Sequence, residues 1–189
     1  MKNVVFTNRK GGVGKSTLCA EFVLSVRRSG IPINFYDLDV QGGTIITVGE
    51  EKGAKISAVD TPGAMEKDLP EWIQEADVVV IPTIASELDI ESLLHMVSVY
   101  QAHKKRGSKL IIVVNQFTHY TSGKQFMEWI TEEMKGTGAE ILTMMRSEKI
   151  IQATANSKSV VEYAPRSAAA SSALVVVNAI RKAAKLPEE

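Results

Sequence analysis

The chain has 189 residues, 44% of them apolar, a length and composition that fit one domain with a sizeable core and exclude a disordered chain. Lys plus Arg and Asp plus Glu both number 22, so the net charge is zero and any nucleic-acid surface must be a local patch. One cysteine, Cys19, excludes an internal disulfide and fits a reducing compartment, and no apolar run approaches the roughly 20 residues that span a bilayer.

The chain opens on Met1-Lys2-Asn3 and passes directly into the apolar Val4-Val5-Phe6, so a buried strand is expected from the start and a signal peptide is not. Asn8-Arg9-Lys10-Gly11-Gly12-Val13-Gly14-Lys15-Ser16-Thr17 follows. Leu18, Cys19, Phe22, Val23 and Val26 then recur at helical spacing. Glycines between a strand and a helix make a phosphate-binding loop: they admit backbone conformations closed to other residues and bring N–H groups up to an anion. The helix start near Lys15 adds unpaired N–H groups and partial positive charge. In such a loop Lys15 reaches the β- and γ-phosphates, and the Ser16 hydroxyl ligates Mg²⁺.

The first glycine of the usual G-x-x-x-x-G-K-[ST] pattern is replaced by Arg9, and Lys10 follows it. A lysine five residues before Lys15 resembles the signature lysine of the deviant Walker A ATPases, the ParA/MinD family. The resemblance implies an α/β fold of the P-loop NTPase type: one domain over residues 1–189, three layers, a mostly parallel sheet with helices on both faces. It also implies that Lys10 reaches the nucleotide of a second subunit, and that Gly11, Gly12, Val13, Gly14, Lys15, Ser16, Thr17 and Lys10 contact ATP.

The first helix is expected to stop at Ser29-Gly30, with a second strand over residues 33–36. That strand delivers Asp37-Leu38-Asp39, two carboxylates pointing the same way on the rim where open α/β sheets hold ligands. The run Asp37 to Gly43 resembles the family's D-x-D-P-Q-G-N segment, which gives Asp39 the attacking water and a place near Mg²⁺, and Asp37 a supporting role. A short helical piece is expected over residues 44–51 and a third strand over residues 55–59. Asp60-Thr61-Pro62-Gly63 closes that strand in the Walker B manner, so Asp60 is expected to hold Mg²⁺ through water and Gly63 to sense the γ-phosphate.

Further along, residues 69–75 read as a short helix and residues 77–82 as a strand stopped by Pro82. Ser86 with Asp89 three residues on reads as a capping box opening a long helix, with Ile90, Leu93, Leu94, Val97 and Tyr100 on its core side. Lys104-Lys105-Arg106 ends it, matching its dipole. A fifth strand over residues 110–114 leads into Asn115-Gln116-Phe117-Thr118. Guanine-specific relatives carry N-K-x-D here; Gln116 and Thr118 replace the lysine and the acid, which points to ATP, with Asn115 near the adenine. A helix over residues 122–134, a sixth strand over residues 139–142, a turn or helix over residues 146–155 and a last helix over residues 167–185 complete the pattern. Residues 157–165 resemble the family's G-k-s-v-x-e-y stretch. The three histidines, His95, His103 and His119, lack metal-ligand spacing.

Taken together, the resemblance implies a slow, partner-stimulated ATPase, with ATP and Mg²⁺ as ligands. It would form an ATP-dependent homodimer, work with a ParB-like adaptor and bind nonspecific DNA, partitioning plasmid or chromosome. It would be cytoplasmic and nucleoid-associated when ATP-bound, with no membrane anchor, since the last helix has no Phe or Trp on its apolar face. Candidate phosphate-contacting cations are Arg146, Lys149, Lys158, Arg166, Arg181, Lys182 and Lys185. Alternatives are an ATPase of the same type that positions a protein cargo or organelle, and a dethiobiotin-synthetase-like metabolic enzyme.

Overall fold

The structure is a computed structural model and describes residues 1–39, 48–63 and 68–189. β1 (Lys2–Phe6), β2 (Asn34–Asp37), β3 (Ile56–Asp60), β4 (Val78–Ile84), β5 (Lys109–Phe117) and β6 (Ala139–Met145) form one sheet in the order β2-β3-β1-β4-β5-β6. All its pairings are parallel. The strands are short apolar runs because both faces are covered. Successive residues therefore feed opposite cores: Val78, Val80, Ile111 and Val113 face one, and Val79, Ile81, Ile112 and Val114 the other.

The first core is closed by α1 (Lys15–Arg28), α5 (Glu148–Ala155), α6 (Val160–Tyr163) and α7 (Ala168–Ala183), through residues such as Phe22, Val26, Ile150, Val160, Val176 and Ile180. The second is closed by α2 (Leu69–Glu75), α3 (Glu87–His103) and α4 (Thr121–Glu133), through Ile73, Leu93, Met96, Tyr100, Phe126 and Ile130. This is the expected three-layer parallel architecture. Cys19 lies fully buried in the first core, as its place on the apolar face of α1 requires.

Several boundaries differ from the sequence reading, each for a local reason. Pro82 does not stop β4, which runs on to Ile84. Its carbonyl accepts from Asn8 Nδ2 at 2.7 Å on the β1 side. The missing N–H faces that same side, where β1 has already ended at Phe6, so no ladder bond is lost. β5 extends to Phe117 through a register irregularity after Val114, and β6 follows it to Met145 by pairing with Phe117. At residues 48–51, the second half of the expected helical piece, the chain is extended instead. Phe35 and Gly49 exchange two backbone hydrogen bonds of 2.9 Å in an antiparallel bridge. The first half of that piece, and the Val40-Gln41-Gly42-Gly43 part of the acidic segment, lie outside the described residues.

The capping box at α3 is also absent. Ser86 accepts from Leu88 N at 3.2 Å, but Asp89 does not turn back to the helix start; its carboxylate meets Lys10. A true capping box forms instead at α6, between Ser159 and Glu162.

Candidate nucleotide site

Parallel pairing brings every strand's carboxyl end to one edge of the sheet, and register sets what lies beside what. Phe6, the last residue of β1, pairs with Asp60, and Asp60 pairs with Asp37. The loop leaving β1 therefore starts flush with the acids that end β3 and β2. Thr7 N donates to Val80 O at 3.0 Å, so the chain leaves the sheet still held by β4.

Asn8 anchors the loop. It is 1% exposed; its Nδ2 donates to Pro82, and its Oδ1 accepts from Lys10 N at 3.0 Å and from Ser92 Oγ at 2.7 Å. Gly12 and Gly14 then adopt φ of 76° and 94°, the left-handed region that disfavours other residues. At Gly14 space matters as well: a Cβ there would lie 2.0 Å from Asn115 Nδ2. That amide packs on the loop from behind and donates to Val13 O at 2.9 Å. α1 begins at Lys15 with no side chain capping it, leaving its first N–H groups facing the loop's concavity. Val13 turns its side chain into the interior, so only its backbone belongs to the loop's surface.

The charges divide into two groups. Lys15 is 6% exposed and its ammonium folds back over the loop to within 3.4 Å of Lys10 O. Beneath it, Asp60 is fully buried and neither carboxylate oxygen has a hydrogen-bond partner. Burial pushes its pKa up to about 6, with Asp37 and Asp39 adding repulsion; Ser16 and Lys15 pull the other way but do not close a bond on it. A buried carboxylate with both oxygens open, facing a serine hydroxyl, has the donor set a hard divalent cation takes. The residues therefore fit the Mg²⁺ expected from the sequence. Asp37 Oδ1 accepts from Asp39 N at 3.0 Å, which fixes the turn that carries Asp39 to the cavity.

That cavity has a volume of about 460 Å³. One wall is the loop and the start of α1: Gly11, Gly12, Gly14, Lys15, Ser16 and Thr17, with Asp39 beside them. The opposite wall is Asn115 and Gln116 from β5, Met145 from β6, and Arg146, Ser147, Ile150 and Ile151 leading into and along α5. Only Asn115 of that wall was expected. Gln116 holds φ of 53° while Asn115 Oδ1 accepts its backbone N–H at 2.8 Å, which swings its side-chain amide over the loop to Gly12 O at 3.4 Å. The signal that could have found the rest is positional: ligands gather where parallel strands end, and the sixth strand ends three residues later than residue 142.

Two residues of the sequence reading lie apart from this cavity. Lys10 stands outside the cavity, its ammonium 2.9 Å from Asp89 Oδ2 and 3.2 Å from Leu88 O. Arg181, a candidate phosphate contact, is fully buried between α7 and α1. It donates to Ser25 O at 3.1 Å, Ser25 Oγ at 2.9 Å and Ser29 Oγ at 3.0 Å, and is thereby corrected from a surface cation to a structural one. The other candidates, Arg146, Lys149, Lys158, Arg166, Lys182 and Lys185, are exposed.

Comparison with known proteins bears on the fold and the family. The fold is similar to McdA from Cyanothece in complex with ATP, at a TM-score of 0.77 and 14% identity over 100% of this chain and 98% of that one. It is also similar to the cell division ATPase MinD of Pyrococcus furiosus, at 0.71 and 14% over 96% and 98%. A plasmid partition protein of Borrelia burgdorferi bound to AMPPNP gives 0.64 and 16% over 86% and 95%. Among curated protein sequences none matches. The sequence itself matches the CobQ/CobB/MinD/ParA nucleotide-binding domain over residues 4–160, a span running from the first strand through the loop, Asp37, Asp39 and Asp60 to the cavity's far wall. On that match the chain belongs to the CobQ/CobB/MinD/ParA family of nucleotide-binding domains.

Proposed function

We propose that this protein is an ATP-dependent switch of the ParA type: a slow ATPase that dimerises around ATP·Mg and, in that state, binds DNA without reading its sequence. The observation that carries the reading is the separation of the two loop lysines. Lys15 lies in its own cavity, whereas Lys10 lies outside it at the surface, beside the 83%-exposed Leu88. A lysine so placed serves a nucleotide held by another copy better than its own.

In this reading the loop N–H groups and Lys15 bind the phosphates. Mg²⁺ held by Ser16, Asp60 and Asp39 would shield the phosphate charge. Asp39 orients the attacking water, and Lys10 of a second copy neutralises charge that develops on the transferred group. The wall of Asn115, Gln116, Arg146 and Ser147 takes the base. Among the described residues lining the cavity near Asn115 none is a carboxylate able to accept the two N–H groups of guanine, which favours adenine. The exposed cations Lys149, Lys158, Arg166, Lys182 and Lys185 supply phosphate contacts when paired in a dimer. A ParB-like adaptor and a partition role belong to the same proposal.

Sedimentation with ATP, ADP and plain duplex DNA tests it. The expected result is a dimer that binds DNA in ATP, loses affinity steeply with added salt, and is a DNA-free monomer in ADP. A protein that stays monomeric with ATP, or binds DNA equally in both nucleotides, overturns it.

A further inference from the structure

At the end of α1 away from the phosphate loop, Ser25 and Arg28 meet Arg181 of α7 in a second charged pocket. An acid of the same chain fills it. Arg28 Nε donates to Glu189 Oε1, Ser25 Oγ donates to Oε2 at 2.5 Å, and Arg181 Nη1 lies 3.9 Å from Oε2. Against burial, the bonds from Arg28 and Ser25 hold the Glu189 carboxyl below its ordinary range. The backbone of that acid is bound too: Asn178 Oδ1 accepts from Glu189 N at 2.9 Å, and Asn178 Nδ2 donates to Glu189 O at 3.3 Å. Arg181 Nε donates to Pro187 O at 2.6 Å. Residues 186–189 thus lie across α7 and α1 as a bound peptide would.

The pocket is built without its occupant. Arg181 is held by Ser25 O and Ser29 Oγ at 3.1 and 3.0 Å, and Arg28 Nη1 by Ser159 Oγ at 2.5 Å and Glu162 at 3.4 Å. Nor does the occupant satisfy it, since Arg28 Nη2 is buried with no hydrogen-bond partner, a cost that one more acceptor would remove. The occupant itself is superficial. Pro187 and Glu188 are exposed, and Leu186 packs only at the edge of the first core, so the segment leaves without unpacking that core.

We propose that this pocket is a docking site for an acidic, extended segment of a partner protein, and that residues 186–189 cover it in cis. The chemistry selects a glutamate: two guanidinium groups and a hydroxyl take its carboxylate, and Asn178 takes its backbone N–H and C=O. A second acid on the partner, placed to reach Arg28 Nη2, gives it an advantage over the resident segment. That segment competes at the roughly millimolar effective concentration of a short tether. The partner's apparent affinity is therefore reduced by the fraction of protein in which the pocket is covered. None of these residues lines the nucleotide cavity, so the site stands whether or not the chain dimerises around ATP.

The test uses the whole chain, wild type and Glu189→Ala, with a fluorescein-labelled Leu-Pro-Glu-Glu peptide as the probe, read by anisotropy without nucleotide. Glu189→Ala is expected to bind the peptide about 10-fold more tightly than wild type, because the competitor in cis has lost its anchor. A Leu-Pro-Gln-Gln peptide is expected not to bind. Adding Arg28→Gln to Glu189→Ala is expected to abolish binding; if that variant melts early, Ser25→Ala, which removes one donor to the carboxylate, serves with a several-fold loss. Equal binding by wild type and Glu189→Ala overturns the proposal, as does binding by neither. Binding that survives glutamine in the peptide, or survives both pocket variants, places the peptide elsewhere and also overturns it. A nucleotide-independent dimer of the wild type that Glu189→Ala dissolves would give the pocket to a second copy of residues 186–189 and overturn the partner assignment.

Discussion

At the scale of single residues, the loop depends on a few side chains and on one missing one. Gly14 combines φ of 94° with Asn115 Nδ2 standing where a Cβ would lie. Gly14→Ala is therefore expected to abolish nucleotide binding and to lower the melting temperature, whereas Gly11, which faces open space, should accept alanine with far less loss. Lys15→Ala should remove ATP binding in calorimetry while leaving the fold's melting transition cooperative; tight binding by that variant would contradict the phosphate-loop assignment. A separate residue governs pH. Glu21 is 2% exposed and both its oxygens accept from Val160 N, at 2.8 and 3.1 Å. Burial raises its pKa from 4.5 to about 7, against the pull of that hydrogen bond and of Arg28. Its folded pKa lies above the unfolded one, so between about 4.5 and 7 the native state retains a proton that the unfolded chain has lost. Stability from this group is thus greatest at low pH and falls as pH rises through that window. Glu21→Gln keeps an acceptor for Val160 and removes the charge. It is expected to stabilise the protein at pH 8 by on the order of 1–2 kcal/mol and to leave little effect at pH 4.5, as read by urea unfolding at both values.

Elements dock through contacts that periodicity does not announce. Ala173, Val176, Val177 and Ile180 form the core stripe of α7 as their spacing requires, but the neighbour Arg181 also goes inside and ties that helix to α1. Its Nε donates to Pro187 O at 2.6 Å, which draws the segment after α7 onto the same pair of helices. Arg181→Ala should cost about 3 kcal/mol in unfolding free energy, because it strands buried acceptors and opens a void. With the folded fraction held constant, DNA affinity should not change, in contrast to Lys182→Ala. A loss of DNA binding without a loss of stability would return Arg181 to the surface role its sequence position suggests.

For the whole molecule, the relevant quantity is how ligand couples to the folded state. If ATP and Mg²⁺ share the site around Lys15, Ser16 and Asp60, the melting temperature should rise with ATP concentration. At 100 times the dissociation constant the gain is about 2.7 kcal/mol. Chelating Mg²⁺ should remove part of it. Asp60→Asn should remove that metal-dependent part while raising the stability of the ligand-free protein, since it relieves a buried, unpartnered carboxylate. A metal-dependent gain undiminished in Asp60→Asn would take that acid out of the cation site.

The sequence by itself determined the loop, the layer architecture and the acids that end β2 and β3. Each is written in a short stretch where residue type and spacing act locally: glycines before Lys15-Ser16, apolar runs of strand length, Asp37 and Asp60 at strand ends. The family resemblance rested on the same stretches. Only the tertiary structure decided the rest. The far wall from Gln116 to Ile151 exists because parallel register sets the end of β6 beside that of β5, across the cavity from the loop. Asp89 reads locally as a helix cap, and Arg181 as a surface cation. Each takes its actual partner from a segment far along the chain, and a buried charge goes to the counter-charge or acceptor that the fold brings to it, whatever its neighbours in sequence suggest.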